Sequence, residues 1–155
     1  MNLILDFKQI FILLILFQVK HFLADFPFQT EYMMGKFRWY MNEWFPPLVA
    51  HGLVHAAFTF AIAFYFRDAW NALALAIIDL NLHCIMDRVK ASSRLLGRFQ
   101  ALSQAEYSNI KSYPPITMSG RQRLRSNKFF WWSLGFDQMF HHLTHYLLIW
   151  LILFR

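Results

Sequence analysis

Long apolar stretches separated by short polar breaks run through most of this chain. The clearest stretch, residues 47–66, has no charged side chain, and about twenty such residues form a helix that crosses the hydrocarbon core of a bilayer. Residues 69–90 form a second stretch, and residues 129–154 form a third that is long enough to span with tilt. Residues 4–26 hold a shorter uninterrupted apolar run, so whether they cross fully is left open. The pattern predicts an all-α four-helix membrane bundle that forms one domain over residues 1–155.

The connections between these stretches differ in length and charge. Residues 67–68 form a very short turn, which predicts an antiparallel hairpin of the second and third helices. Residues 91–128 are the one long polar loop. Nine of the fifteen Lys and Arg residues lie in or just before it: Arg88, Lys90, Arg94, Arg98, Lys111, Arg121, Arg123, Arg125 and Lys128. The positive-inside rule then predicts a cytoplasmic loop and a multi-pass protein of the cytoplasmic membrane. Such a loop is attracted to anionic lipid head groups, and it contains no nucleic-acid-binding module, so no nucleic-acid partner is predicted.

Composition supports a membrane protein. Of the 155 residues, 57% are apolar and only 15% are charged, whereas about a quarter is usual for a soluble domain. This composition excludes a disordered chain. The single cysteine excludes a secreted disulfide scaffold.

The few polar residues inside the predicted spans recur at intervals of four. Residues four apart lie on one face of a helix, so each helix carries one polar stripe. The stripes are His21–Asp25–Gln29, His51–His55, Asp79–His83–Asp87 and Asp137–His141–His145. At a rise of 1.5 Å per residue, most of these positions lie about 5–14 Å from the helix ends on the cytoplasmic side. The four stripes are therefore predicted to meet in one layer in the inner half of the membrane.

Carboxylates in such a layer require partners. An Asp at mid-membrane costs about 2.5–3.5 kcal/mol on insertion scales, so these side chains are expected to face the bundle interior. Imidazole and carboxylate are ligands for zinc, iron and manganese, and the stripes predict a shared site for one or two divalent ions, with zinc expected and iron or manganese as alternatives. The predicted metal ligands are His21, Asp25, His51, His55, His83, Asp87 and His141. A metal-free proton or hydrogen-bond network is the competing interpretation.

Four further residues are candidates for catalysis at such a site. A metal-bound water becomes hydroxide near neutral pH, and Asp137 is a candidate to accept the released proton. Gln29 and Gln138 are candidates to hold the substrate or a developing oxyanion. Lys90 is a candidate to receive a phosphate or carboxylate. Together these roles predict a metal-dependent hydrolase of an amphiphilic or anionic, phosphate-bearing substrate, working among membrane lipids.

Two other function classes fit the same pattern. A divalent-cation or proton transporter would also carry ionisable residues within the membrane, although the outer half of these spans offers few polar groups. A non-enzymatic membrane interaction protein, of bacterial or phage origin, would use the polar cluster only to hold its helices together. Interhelical polar contacts average about 0.6 kcal/mol, so a cluster this dense exceeds what structure alone requires. The oligomeric state is left open.

The stripes together resemble a known family. The ordered motifs are HxxxDFxxQ from His21, HxxxH from His51, HxxxDxxK from His83 and DQxxH from Asp137. They are similar to the signatures of the uncharacterised bacterial and phage membrane family known as domain of unknown function 3307, over about residues 10 to 150. The resemblance implies a small multi-spanning membrane protein with these polar positions as its shared site, and it implies no particular activity.

Overall fold

The computed structural model of the protein describes residues 7–38, 40–91 and 128–154. Four long helices make up most of these residues, and none of the described residues is in a strand. The elements are α1 (Phe7–Asp25), a short 3₁₀ helix (Met33–Phe37), α2 (Met41–Phe66), α3 (Ala69–Ala91) and α4 (Lys128–Phe154). The predicted all-α class is confirmed. The predicted basic loop over residues 91–128 lies, apart from its two ends, outside the described residues.

Three of the helices, α1, α2 and α3, are long and apolar enough to cross a membrane. The fourth, α4, has 27 residues, but the polar side chains of its stripe interrupt its apolar character. Length and composition therefore support a membrane-associated protein. The number of passes and the identity of the membrane stay predictions.

The α2 helix begins at Met41, before the Pro46–Pro47 pair where the span was expected to start. The carbonyl of Tyr40 closes its first turn by accepting the N–H groups of residues 43 (3.0 Å) and 44 (3.1 Å). Gly35 of the 3₁₀ helix packs tightly on Pro47, because a Cβ added to Gly35 would lie 2.8 Å from the proline Cγ. This contact holds the 3₁₀ helix, and with it Lys36, against the start of α2.

The hairpin of α2 and α3 forms the largest helix–helix interface among the described residues. Asp68 begins α3 by accepting the N–H groups of Trp70 (3.0 Å) and Asn71 (3.1 Å). The Asn71 side chain and these N–H groups hold the pKa of the Asp68 carboxyl below its usual value. In the middle of the hairpin, a Cβ added to Gly52 would lie 2.6 Å from the Cys84 sulfur. The two helices approach this closely only because Gly52 has no side chain.

The bundle has an apolar half and a polar half. Buried side chains from all four helices form one apolar cluster: Leu13, Phe17, Ala63, Ala72, Leu75, Leu148, Ile149 and Ile152. On this side Arg67 Nε donates to the carbonyl of Ile152 at 2.6 Å, which satisfies one of the free carbonyls at the end of α4. The polar stripes fill the other half, where the C-terminal ends of α1 and α3 meet the N-terminal halves of α2 and α4.

Candidate metal centre

Side chains from all four helices converge in the polar half of the bundle. Two groups have ligand atoms that all lie within 4.8 Å of one another: Asp25, His51, His55 and His83, and separately His83, Asp87 and His141. His83 belongs to both groups. Every member is buried except Asp25, which is half-buried. Six of the seven ligands predicted from the sequence therefore lie within reach of an ion, and His21 is the one outside both groups.

Asp25 is surrounded by imidazoles. Its Oδ1 accepts a hydrogen bond from His55 Nε2 at 2.9 Å and lies 3.2 Å from His51 Nε2. Its Oδ2 lies 3.2 Å from His21 Nε2. His21 also contacts Gln138 Oε1 through the same nitrogen, at 3.0 Å. His21 therefore connects the carboxylate to α4 instead of joining the tight group.

Several imidazole nitrogens in this layer are buried without a hydrogen-bond partner among the described residues. They include both ring nitrogens of His51, and Nε2 of His83. Leaving a buried polar atom unpaired costs about 1–3 kcal/mol. An imidazole nitrogen without a hydrogen bond can coordinate a transition-metal ion, and the nearby carboxylate can serve as a further ligand.

The distances also fit an ion. Metal–ligand distances of about 2.0–2.2 Å place the ligand atoms of a tetrahedral site roughly 3.3–3.6 Å apart. The Asp25 contacts with His51 and His55, at 3.2 and 2.9 Å, are slightly shorter than this, and the whole group spans no more than 4.8 Å. The donor set can therefore hold one transition-metal ion once its ligand atoms have moved by about an ångström.

Ring stacking holds these imidazoles in place. His55 stacks on His83 with ring centroids 3.7 Å apart, and His83 stacks on His141 at 4.4 Å. The stack joins α2, α3 and α4 through three side chains. Packing of this kind restricts the rotamers of the rings and pre-organises them for a shared ligand.

The other buried carboxylates of the spans each pair with a lysine. Lys20 Nζ donates to Asp79 at 2.6 Å, Lys36 Nζ to Asp87 at 2.6 Å, and Lys90 Nζ to Asp137 at 2.7 Å. Asp79 also accepts the Thr59 hydroxyl at 2.6 Å. Asp79 thus pairs with α1 and α2, apart from the metal groups, although it belongs to the same stripe as His83 and Asp87.

The four predicted catalytic residues occupy the edge of this layer. Asp137 Oδ1 lies 3.3 Å from His141 Nε2, while Lys90 pairs with the other carboxylate oxygen. Gln138 contacts His21 and also donates to Asp137 at 3.3 Å. Gln29 accepts a hydrogen bond from Lys36 at 3.2 Å. Asp137 and Gln138 therefore contact imidazoles of the layer directly, whereas Lys90 reaches it only through Asp137, and Gln29 only through Lys36 and Asp87.

Sequence reasoning missed Lys36. It lies in the connection between the first and second predicted spans, and its side chain is buried against Asp87. No periodicity marks a residue on a 3₁₀ helix between two spans. The one remaining signal is charge balance, because four carboxylates in four apolar helices require cations from elsewhere in the chain.

Comparison with known proteins bears on these same motifs. The sequence model of a family described as "Protein of unknown function (DUF3307)" matches residues 12–154, nearly the whole chain. The chain belongs to the DUF3307 family. This match confirms the resemblance that the four motifs indicated. No curated protein and no solved structure matches it.

Proposed function

We propose that this protein binds one divalent transition-metal ion through Asp25, His51, His55 and His83. The observation that carries the proposal is the charge pattern of the buried carboxylates. Asp79, Asp87 and Asp137 each have a lysine within 2.7 Å. Among the described residues Asp25 has no lysine within ion-pair distance and is contacted by imidazoles instead.

The same pattern favours one ion over two. The second group shares His83 with the first, and its carboxylate, Asp87, is already neutralised by Lys36 at 2.6 Å. A second divalent ion beside that ammonium would meet strong like-charge repulsion in a low-dielectric interior. One ion held by Asp25 and three neutral imidazoles would leave a single positive charge at the site. Zinc is the ion whose usual ligands match this set best.

Hydrolysis is the reaction class we propose for such a centre. An ion held here would activate water near neutral pH if it accepted a fifth ligand beside its four protein ligands. Asp137 lies beside His141 at the edge of the layer and is suited to accept a proton. Gln138 supplies an amide donor next to it. A site within the bilayer, bordered by Lys90, suits an amphiphilic substrate with an anionic group, hydrolysed in the bacterial inner membrane.

The shape of the bundle favours hydrolysis over transport. A transport path must continue beyond the polar layer, but an apolar cluster with contributions from all four helices fills the other half. Lys20, Asp79 and Thr59, which lie outside both metal groups, satisfy one another. A one-sided pocket is the arrangement that these contacts support.

The test begins with metal content. The protein is purified in mild detergent, equilibrated with zinc, iron or manganese, desalted and analysed by mass spectrometry. We expect about one ion per chain, and a loss of most of it in Asp25→Asn and His51→Gln. His142→Gln is the matched control, because His142 lies on α4 outside both groups and pairs with Gln18. Preparations with no stoichiometric metal under any loading condition would contradict the site.

Hydrolysis is tested separately on the loaded protein. The probes are p-nitrophenyl dodecanoate and p-nitrophenyl dodecyl phosphate. We expect turnover of at least one that stops with a chelator, returns with zinc and is absent in Asp25→Asn. Metal-loaded protein without turnover of either ester would contradict the hydrolase proposal and leave the ion site standing.

A further inference from the structure

A polar side chain faces outward from the middle of α3. Asn81 lies about 18 Å from the start of this helix and about 15 Å from its end, at a rise of 1.5 Å per residue. The side chain of Asn81 is exposed, and α3 is long and apolar enough to cross a membrane. In a bilayer the amide would therefore lie in the hydrocarbon core, where lipid offers it no hydrogen-bond partner.

The Asn81 amide is only partly satisfied within its own chain. Its Nδ2 donates to the carbonyl of Ile77, one turn earlier, at 2.7 Å. A side-chain amide has a second N–H donor and a carbonyl acceptor, and neither has a partner among the described residues. Other amides of the spans contact a neighbouring helix: Gln18 contacts His142 at 3.2 Å, and Gln138 contacts His21 at 3.0 Å. Asn81 differs from them because its remaining groups require a partner outside the bundle.

The residues around Asn81 form a continuous apolar row. Trp70, Ala74, Ile77 and Ile85 are all exposed, and intervals of three or four residues place them on the same face of α3 as Asn81. A single asparagine within such an apolar row is typical of helices that pair with each other, where it specifies the partner and the register. This row is therefore suited to contact a second helix, with the amide near the middle of the contact.

We infer that this face of α3 pairs with the same face of a second copy of the chain, and that the two Asn81 amides hydrogen-bond to each other across a two-fold axis. In a two-fold interface each residue on the axis meets its own copy. An amide is complementary to itself, because its N–H donates and its carbonyl accepts. A second copy thus supplies both of the groups that Asn81 lacks, at the same depth in the membrane.

This interface is independent of the proposed metal centre. His83, the α3 ligand of that centre, lies on the buried side of the helix, whereas Asn81 lies on the exposed side. Each copy would therefore retain its own centre, and the inference goes beyond the proposed function. The dimer stands or fails whether or not the protein binds metal.

The first experiment is thiol cross-linking of the full-length protein in the membranes of the expressing cells. Ile85→Cys, in a Cys84→Ala background, places one thiol on the apolar row. Leu143→Cys is the matched control, because Leu143 is 53% exposed and Ile85 is 57% exposed, but Leu143 lies on α4. With a short bifunctional methanethiosulfonate reagent, we expect a covalent dimer of Ile85→Cys and little or none of Leu143→Cys. Equal yields, or cross-links of Ile85→Cys only to a different protein, would overturn the inference.

The second experiment measures the dissociation constant of the dimer, by energy transfer between labelled copies diluted in phosphatidylcholine vesicles. Asn81→Leu should weaken pairing roughly five- to tenfold, as expected for two interhelical polar contacts of average strength. Asn81→Gln keeps an amide and should pair more tightly than Asn81→Leu. Gln18→Leu is the matched control, because it removes an amide that already has His142 as a partner, and it should leave the constant unchanged. A native protein that stays monomeric at every density, or Asn81→Leu that pairs as tightly as the native protein, would refute the interface.

Discussion

At the scale of single residues, the buried lysines determine which carboxylate is left for an ion. Each ammonium that pairs with a carboxylate replaces the solvation both groups lose on burial. Lys36 does this for Asp87 from a 3₁₀ helix, at 2.6 Å, with Gln29 as a second acceptor. Among the described residues, Asp25 has imidazoles and no lysine for the same purpose.

Removal of Lys36 tests this balance. Lys36→Met leaves Asp87 buried and unpaired, and breaking one side of a buried pair typically costs about 3–5 kcal/mol. We expect a marked fall in the thermal unfolding temperature in detergent, measured by circular dichroism. Added zinc should stabilise this variant more than the native protein, because a divalent ion can replace the lost ammonium.

The double variant Lys36→Met/Asp87→Asn is the control. It removes both charges and should recover much of the lost stability. A single variant as stable as the native protein would show that the Lys36–Asp87 pair does not balance buried charge.

The residue pattern made some of these partners predictable and others not. The four-residue spacing of His51 with His55, or of His83 with Asp87, is enough to place them on one face. This spacing does not show that Asp79 pairs with Lys20 and Thr59. A stripe defines one face of a helix, but it does not tell which neighbouring helix each residue of that face contacts. Long lysine side chains add a further freedom, since their ammonium groups lie far from their backbone positions.

At the scale of helices, the centre depends on how closely α2 approaches α3. His51 and His55 lie on α2 around Gly52, and His83 lies on α3 next to Cys84. A Cβ at Gly52 would come within 2.6 Å of the Cys84 sulfur, closer than real contacts allow. The spacing between the imidazoles of the two helices is therefore set by one glycine.

Substitution of this glycine should weaken metal binding without touching a ligand. Gly52→Ala forces α2 and α3 apart or displaces Cys84, so we expect at least a tenfold loss of zinc affinity by competition with a chromogenic chelator. Gly135→Ala is the matched control, since no atom lies within 4 Å of the added Cβ. Gly52→Ala/Cys84→Ala relieves the closest contact and should restore part of the affinity. Equal affinity in the two single variants would argue against control by helix spacing.

Helix positions were more predictable than helix beginnings. Apolar length identifies α3 and the hairpin turn at residues 67–68 because few charged residues interrupt these spans. The start of α2 at Met41 was not predicted, since a proline pair is typical of a first turn. The first turn forms ahead of the prolines, where the Tyr40 carbonyl accepts the N–H groups of residues 43 and 44.

At the scale of the whole molecule, the fold separates polar from apolar burial along the bundle axis. The polar layer collects the imidazoles and most of the carboxylates. The other half is closed by residues such as Phe17 and Leu148, both fully buried. The sequence could indicate this asymmetry from the scarcity of polar residues beyond the stripes. It could not indicate that the apolar side chains of four helices would meet in one continuous cluster.

This closed half predicts that the protein does not conduct ions. Proteoliposomes that contain a zinc-sensitive dye should show zinc entry no faster than protein-free liposomes, because an ion would have to cross the apolar cluster that side chains of all four helices form. His51→Ala should leave this background unchanged, and a zinc ionophore serves as the positive control. If the native protein shows flux above background and His51→Ala abolishes it, the polar layer is part of an ion-conduction path. It would then require the cluster around Phe17 and Leu148 to open, which packing of four helices opposes.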